Sequence, residues 1–286
     1  MVFWLSSKFK TKRCNVILSA GGPRVIAQVG ALEALDQEGW VIENICGISA
    51  GSIVASFYAS GYPLDKMKEM ALKIDFGGFT KFNYMYPNQG LFIFDGLGDW
   101  VSKECMSVPE SQRRCNLHIG ACSLNTGRKR IFTNPWDRLE LAKAIEATCT
   151  IPVIFKPVSY EDESLADGAL WSSAPVHFYA DKSSEKYNKY PNFVINVQNS
   201  HVYSYTNFNN PIKMLYRIFE VFQINRLRGL RKRVASRKYS KVCMVEPEIG
   251  NISSFNFSPS LESRRKMIQS GKSSMLEALK RGTFDG

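Results

Sequence analysis

Histidine is scarce in these 286 residues, occurring only at positions 118, 177 and 201, and the seven cysteines form an odd set without a CxxC pair. With no Cys/His cluster at ligand spacing, neither a structural zinc site nor any other metal is expected. The first glycine-rich turn does not supply G-x-G-x-x-G, so a dinucleotide loop is not expected either, and no cofactor is called for. No stretch approaches the roughly 20 apolar residues of a membrane span. The opening MVFWLSSKFKTKRC places apolar residues ahead of basic ones, the reverse of a secretory signal. Internal repeats and low-complexity tracts are also missing. Together these absences point to a cytoplasmic chain with free thiols that meets membranes only from the side, as a peripheral protein.

What is present is ordinary for a folded α/β protein, with 44% hydrophobic and 22% charged residues. The length fits one large domain, expected over residues 14–286 after an N-terminal extension of residues 1–13. The formal charge of +11 is less ordinary and favours an anionic partner, nucleic acid or a lipid surface.

Residues 14–19 form a short apolar run ended by Gly21-Gly22-Pro23, which reads as a buried strand entering a turn. From Arg24 the residues Ala27, Ala31, Leu32 and Leu35 recur at helical spacing until Gly39. A second strand over 43–48 feeds a helix over 52–58, giving the β-α-β-α opening of a parallel sheet covered by helices. Further strands are expected over 117–124, 129–132, 164–167, 193–197 and 242–245, with helices near 138–147 and 261–279, so the sheet is mixed but mostly parallel. Residues 76–94 carry seven aromatics among Gly77, Gly78, Pro87 and Gly90, a composition of a folded excursion. Residues 211–222 place Ile212, Leu215, Phe219 and Phe222 on one helical face, followed by a basic run over 226–233.

Gly47-Ile48-Ser49-Ala50-Gly51 is a G-x-S-x-G between an expected strand and an expected helix. Alone the pattern is weak, since with Gly and Ser near 7% each it arises by chance in about one chain in ten of this length. Its context matters more. A nucleophilic serine on a strained strand-to-helix turn needs small flanking residues, which Gly47 and Gly51 supply; the plainer alternative is a helix-capping serine. A serine that attacks an ester needs donors for the developing oxyanion. Gly21 and Gly22, at the end of the adjacent strand before a helix, and the Ala50 N–H, just after the serine, can aim there.

Four segments in order, SAGGPRVIAQVGALEAL, GISAG, AIEATCTIPVIFKPV and DGALWSSAPV, resemble the blocks of patatin-like phospholipases. VEPEIGNISSFNFS and IQSGKSSMLEAL resemble that family's final strand and helix, so the likeness runs from about Cys14 to near the end. The resemblance implies a three-layer architecture and a Ser–Asp dyad without histidine, which maps onto Ser49 and Asp167, the latter in Asp167-Gly168-Ala169. It implies cleavage of phospholipid, lysophospholipid or related acyl-lipid esters through an acyl-enzyme. A carboxylate against a serine hydroxyl can accept its proton and return it to the leaving alcohol. Arg24 resembles the family's basic residue after the glycines, where it supports the loop or favours an anionic head group. The sequence departs from the family pattern at Ala20 and Val25, where glycines are expected, and at Pro23, which lacks an N–H.

Two rivals stand beside this reading. A conventional α/β-hydrolase would complete Ser49 and Asp167 with His177 or His201, though Ser49 lies early for that fold; His118, in an apolar strand, reads as a core residue. A binding protein would use the basic run as its footprint. No nucleic-acid module accompanies that run, so the charge points to anionic membranes rather than nucleic acid, with the aromatics of 76–94 and the cations of 226–241 as candidate docking surfaces.

Overall fold

The computed structural model describes residues 12–85, 87–180, 189–198, 211–236, 241–253 and 256–281. The chain opens with β1 (Lys12–Leu18), a 3-10 turn (Gly22–Val25), α1 (Ile26–Gln37), β2 (Trp40–Ile48), α2 (Ala50–Ser60) and α3 (Leu64–Lys73). A small hairpin, β3 (Thr80–Phe82) and β4 (Phe92–Phe94), precedes α4 (Leu97–Met106), β5 (Asn116–Ser123), β6 (Lys129–Thr133) and α5 (Arg138–Cys149). Then come β7 (Val158–Tyr160), β8 (Glu163–Asp167), α6 (His177–Ala180), β9 (Asn192–Ile195), α7 (Pro211–Ala235), β10 (Val242–Val245) and α8 (Leu261–Lys280).

Eight strands form one sheet in the order β10-β9-β1-β2-β5-β8-β7, with β6 also on β5. The run from β10 to β5 is parallel. Strands β6 and β8 lie antiparallel to β5, and β7 antiparallel to β8. This is the mixed, mostly parallel α/β sheet expected from the alternation of apolar runs and helical periods.

Side chains alternate across a strand, so a sheet covered on both faces must be apolar on both. In β1, Val16 and Leu18 join the core under α1, α2, α4, α5 and α8, whereas Ile17 points to the other core, which Val176, Tyr179, Leu227 and Leu230 of the α6 region and α7 complete. In β2, Ile45 and Cys46 divide in the same way. Three layers result. All seven cysteines are free thiols, and five of them are buried.

Helices α3 and α4 were not expected, nor was the single turn α6. In α3 only Met67 and Ala71 are buried, so the element is largely polar and lacks an apolar stripe in sequence. In α4 the buried Leu97, Val101 and Cys105 recur every four residues, but the aromatic segment before Gly96 hides its start. Residues 76–94 do fold as an excursion, and their rings mostly turn inward. Phe76, Phe79 and Phe94 pack on the core, with Phe94 stacked on Phe155 at 4.2 Å, while Phe82 and Tyr84 stay exposed. Tyr86 lies outside the described residues. Among the described residues, no helix is long and apolar enough to cross a membrane.

Candidate active site

Strand β2 ends at Ile48 and α2 begins at Ala50, so Ser49 alone makes the turn. Its backbone, at φ 52° and ψ −135°, lies where residues with side chains rarely sit. The turn is tight enough to require both neighbouring glycines. A Cβ on Gly47 would stand 2.3 Å from Ser52 Cα, and one on Gly51 2.6 Å from the Ser19 carbonyl oxygen. Hydrogen bonds hold the strained residue from both sides. The Ser49 N–H donates to Thr148 Oγ1 at 2.9 Å, and the Thr148 hydroxyl in turn donates to the Gly120 carbonyl. The Ser49 carbonyl accepts from the Ser52 N–H at 2.8 Å and from the Ser52 hydroxyl at 2.6 Å.

Asp167 is the last residue of β8. Strands β2 and β8 follow one another along the same edge of β5, whose other edge carries β6, and β5 aligns their ends: Ile48 pairs with Gly120, and Asp167 with Ala121. The Ser49 hydroxyl therefore meets the carboxylate, donating to Asp167 Oδ2 at 2.7 Å. The other oxygen, Oδ1, accepts the Ala169 N–H at 2.8 Å, fixing the carboxylate plane. Asp167 is 1% exposed and Ser49 9%. Burial pushes the Asp167 carboxyl up to about 7, against the lowering effect of the Ala169 N–H and the Ser49 hydroxyl. A base poised near neutrality is what proton transfer at ordinary pH calls for. Gly168 allows the approach, since a Cβ there would stand 2.0 Å from the Gly120 carbonyl oxygen.

The pair lies in a cleft of about 910 Å³, open mouth included. Gly21, Gly22 and Ala50 line it beside Ser49 and Asp167, and Ile53, Phe76, Phe94, Leu97 and Phe155 give it an apolar wall. Helix α7 contributes Glu220, Gln223 and Ile224. The departures in the glycine turn are absorbed locally. Pro23 sits in the first turn of the 3-10 helix, where its missing N–H has no intrahelical partner to lose, and Ala20 and Val25 are buried in the two cores.

Arg24 is buried rather than displayed. Its Nε donates to the Ile252 carbonyl at 2.9 Å, and Nη2 stands 3.4 Å from Glu220 Oε1, so it ties the glycine turn to α7. The histidines lie elsewhere. His118 Nδ1 is 2.7 Å from the Tyr179 hydroxyl in the core, and His177 stands edge-on to Trp171 at a second cleft; His201 lies outside the described residues. Among the described residues no histidine lines the cleft of Ser49, and no group of three His, Cys, Asp or Glu side chains is placed to hold a metal ion.

Sequence reasoning missed Thr148, the Ala169 amide and the α7 residues. Thr148 lies within the segment AIEATCTIPV, but nothing local announces that its hydroxyl will face the Ser49 amide 99 residues away.

The model of the family described as patatin-like phospholipase matches residues 16–179. The chain is 25% identical over 192 residues to the uncharacterized protein YqhO of Bacillus subtilis, covering 57% of this chain and 66% of that one, just under two thirds of its length. It is 24% identical over 221 residues to the probable lipid hydrolase 463L of Invertebrate iridescent virus 6, covering 68% and 76%. Its fold is similar to that of VipD from Legionella pneumophila, with a TM-score of 0.60 at 13% identity over 95% of this chain and 67% of that one. The matched residues are more than half of the chain and include the glycine turn, Ser49, Thr148 and Asp167, and on that ground the chain belongs to the patatin-like phospholipase family.

Proposed function

We propose that this protein is a serine lipid acyl-hydrolase that cleaves carboxylic ester bonds of phospholipids, lysophospholipids or related acyl lipids. Ser49 is the nucleophile and Asp167 its general base. The single observation that carries the reading is the 2.7 Å hydrogen bond from the Ser49 hydroxyl to a buried carboxylate with no histidine between them.

In the first step Ser49 Oγ forms a bond to the ester carbonyl carbon while its proton passes to Asp167 Oδ2. The negative oxygen of the tetrahedral intermediate is met by N–H groups of Gly21, Gly22 and Ala50; Ala50 opens α2, so its N–H has no partner in the helical ladder. Collapse breaks the bond to the leaving alcohol, which takes the proton from Asp167. Water then attacks the acyl-Ser49 ester with Asp167 again as base, releasing the fatty acid and restoring both groups. The apolar wall of the cleft suits an acyl chain, and relation to a probable lipid hydrolase supports a lipid as substrate. Such a substrate resides in a bilayer, so the protein works in peripheral contact with anionic membranes, to which its net charge of +11 adapts it.

The test is Ser49→Ala, assayed on a short-chain nitrophenyl ester and on phospholipid vesicles. Hydrolysis of both is expected to vanish while the unfolding midpoint is retained. Turnover by a folded Ser49→Ala protein would remove the assignment.

A further inference from the structure

Helix α7 is shared between two clefts. Its Glu220, Gln223 and Ile224 line the cleft of Ser49, while Phe222, Asn225, Arg226, Gly229 and Arg233 line a second, of about 1070 Å³ with its open mouth, whose far wall is Trp171, Ser172 and His177. The second cleft takes no part in the chemistry above.

Four of its features point to one kind of ligand. First, none of its lining residues is acidic, whereas Arg226 and Arg233 are cationic, and Lys129 stands 5.5 Å over the Trp171 ring at its edge. Second, these cations are not neutralised. Among the described residues the ion pairs of α7 involve Arg217, Glu220 and Arg231, and not Arg226, Arg228, Lys232 or Arg233. Arg226 instead donates to the Leu170 and Trp171 carbonyls and lies 4.3 Å over the Phe222 ring. Third, Gly229 interrupts a helix in which it is a poor helix former, and a Cβ there would meet nothing within 4 Å. Packing does not demand glycine at this position, and its absence of side chain leaves the cleft open. Fourth, the cleft adjoins an apolar stripe. Met214, Leu215, Ile218, Val221 and Phe222 are each at least 43% exposed and share the outer face of α7, which the exposed Arg226, Arg228, Lys232 and Arg233 continue.

We propose that the second cleft binds the phosphate head group of an anionic bilayer lipid that is not the substrate, with the apolar stripe of α7 set into the acyl layer beside it. A cationic, aromatic-walled cleft next to an exposed apolar face matches the two ends of one such molecule, and of no free phosphate. Because α7 walls both clefts, this attachment sets the mouth of the Ser49 cleft against the leaflet. The exposed apolar face of α7 is thus a hydrophobic docking surface, beside the exposed Phe82 and Tyr84 of residues 76–94. The inference rests on the lipid-hydrolase reading for the presence of a bilayer, and its test is built to stand apart from that reading.

The full chain is mixed with vesicles of diether phosphatidylcholine, with or without a fifth of diether phosphatidylglycerol. Ether lipids carry no ester, so co-sedimentation reports binding whether or not the protein is a hydrolase. Preference for the anionic vesicles is expected in the parent. Gly229→Leu keeps every charge but fills the cleft, and should lower that preference about tenfold, as should Arg233→Gln. Lys232→Gln removes the same charge outside the cleft and should cost less than about threefold. Ile218→Ser should weaken binding to both vesicle types, an effect that added salt leaves in place. Circular dichroism confirms that each variant is folded. If folded Gly229→Leu keeps the parent's preference, or Lys232→Gln and Arg233→Gln lose equally, the cleft holds no head group and only a diffuse positive surface remains.

Discussion

Thr148 holds Ser49 by its backbone, accepting the Ser49 N–H at 2.9 Å while its own hydroxyl donates to the Gly120 carbonyl. One buried side chain thus ties Ser49 to β5, the strand against which Asp167 is also aligned. Thr148→Val keeps the shape and leaves both backbone groups unpaired. Loss of stability of about 1–3 kcal/mol is expected in denaturant unfolding. Turnover should fall about a hundredfold, because Oγ shifts from its seat against Asp167. Unchanged kinetics in a destabilised variant would show that the strained turn holds itself without Thr148.

Asp167 makes activity and stability respond to pH in opposite directions. In the proposed mechanism the carboxylate must be ionised to take the serine proton, so kcat/KM should rise with pH up to about 7 and level off above it. Folding responds to the same shift. Burial raises the folded pKa above an unfolded value of about 3.9, so the folded state holds this proton more tightly. The resulting stabilisation is full below about pH 4 and is lost as pH climbs toward about 7. Asp167→Asn should therefore be inactive yet gain stability relative to the parent between acid and neutral pH. His177→Ala should keep most activity; a loss near 10⁴-fold in a folded protein would restore the triad. A stopped pH-rate profile and unfolding at matched pH check both limbs.

Gly168→Ala should be among the most damaging single-methyl changes in the chain. Its Cβ would stand 2.0 Å from the Gly120 carbonyl oxygen, and relief requires β8 to move off β5, carrying Asp167 away from Ser49. A cost of about 1–3 kcal/mol in stability is expected, with activity lost along with it. Gly78→Ala, where a Cβ meets nothing within 4 Å, is the control and should leave both unchanged.

Much of this arrangement was legible in sequence because the relevant signals are local. Apolar runs ended by glycines mark β1 and β2, and the G-x-S-x-G between strand and helix marks Ser49. Asp167 was legible only through the order of four motifs, since Asp-Gly by itself marks an ordinary turn. That the two meet depends on β2 and β8 sharing one edge of β5, which no short pattern encodes. The apolar face over 211–222 and the basic run after it looked like two features. They are one helix, because buried Leu227 and Leu230 carry α7 past Gly229. The low apolar content of α3 concealed it for the opposite reason, as two buried side chains in ten residues leave no stripe to read.

Strand β5 also sets when the site comes into being. Ser49 and Asp167 are 118 residues apart, and the register that joins them is read from two adjacent residues, Gly120 and Ala121. During synthesis Ser49 leaves the ribosome long before Asp167, and contacts this distant close late because the intervening loop entropy must be overcome first. A nascent or truncated chain ending before β8 carries a serine with no carboxylate against it. Docking of that one antiparallel strand brings Asp167 against Ser49, so the pair cannot form until the chain has been made through β8.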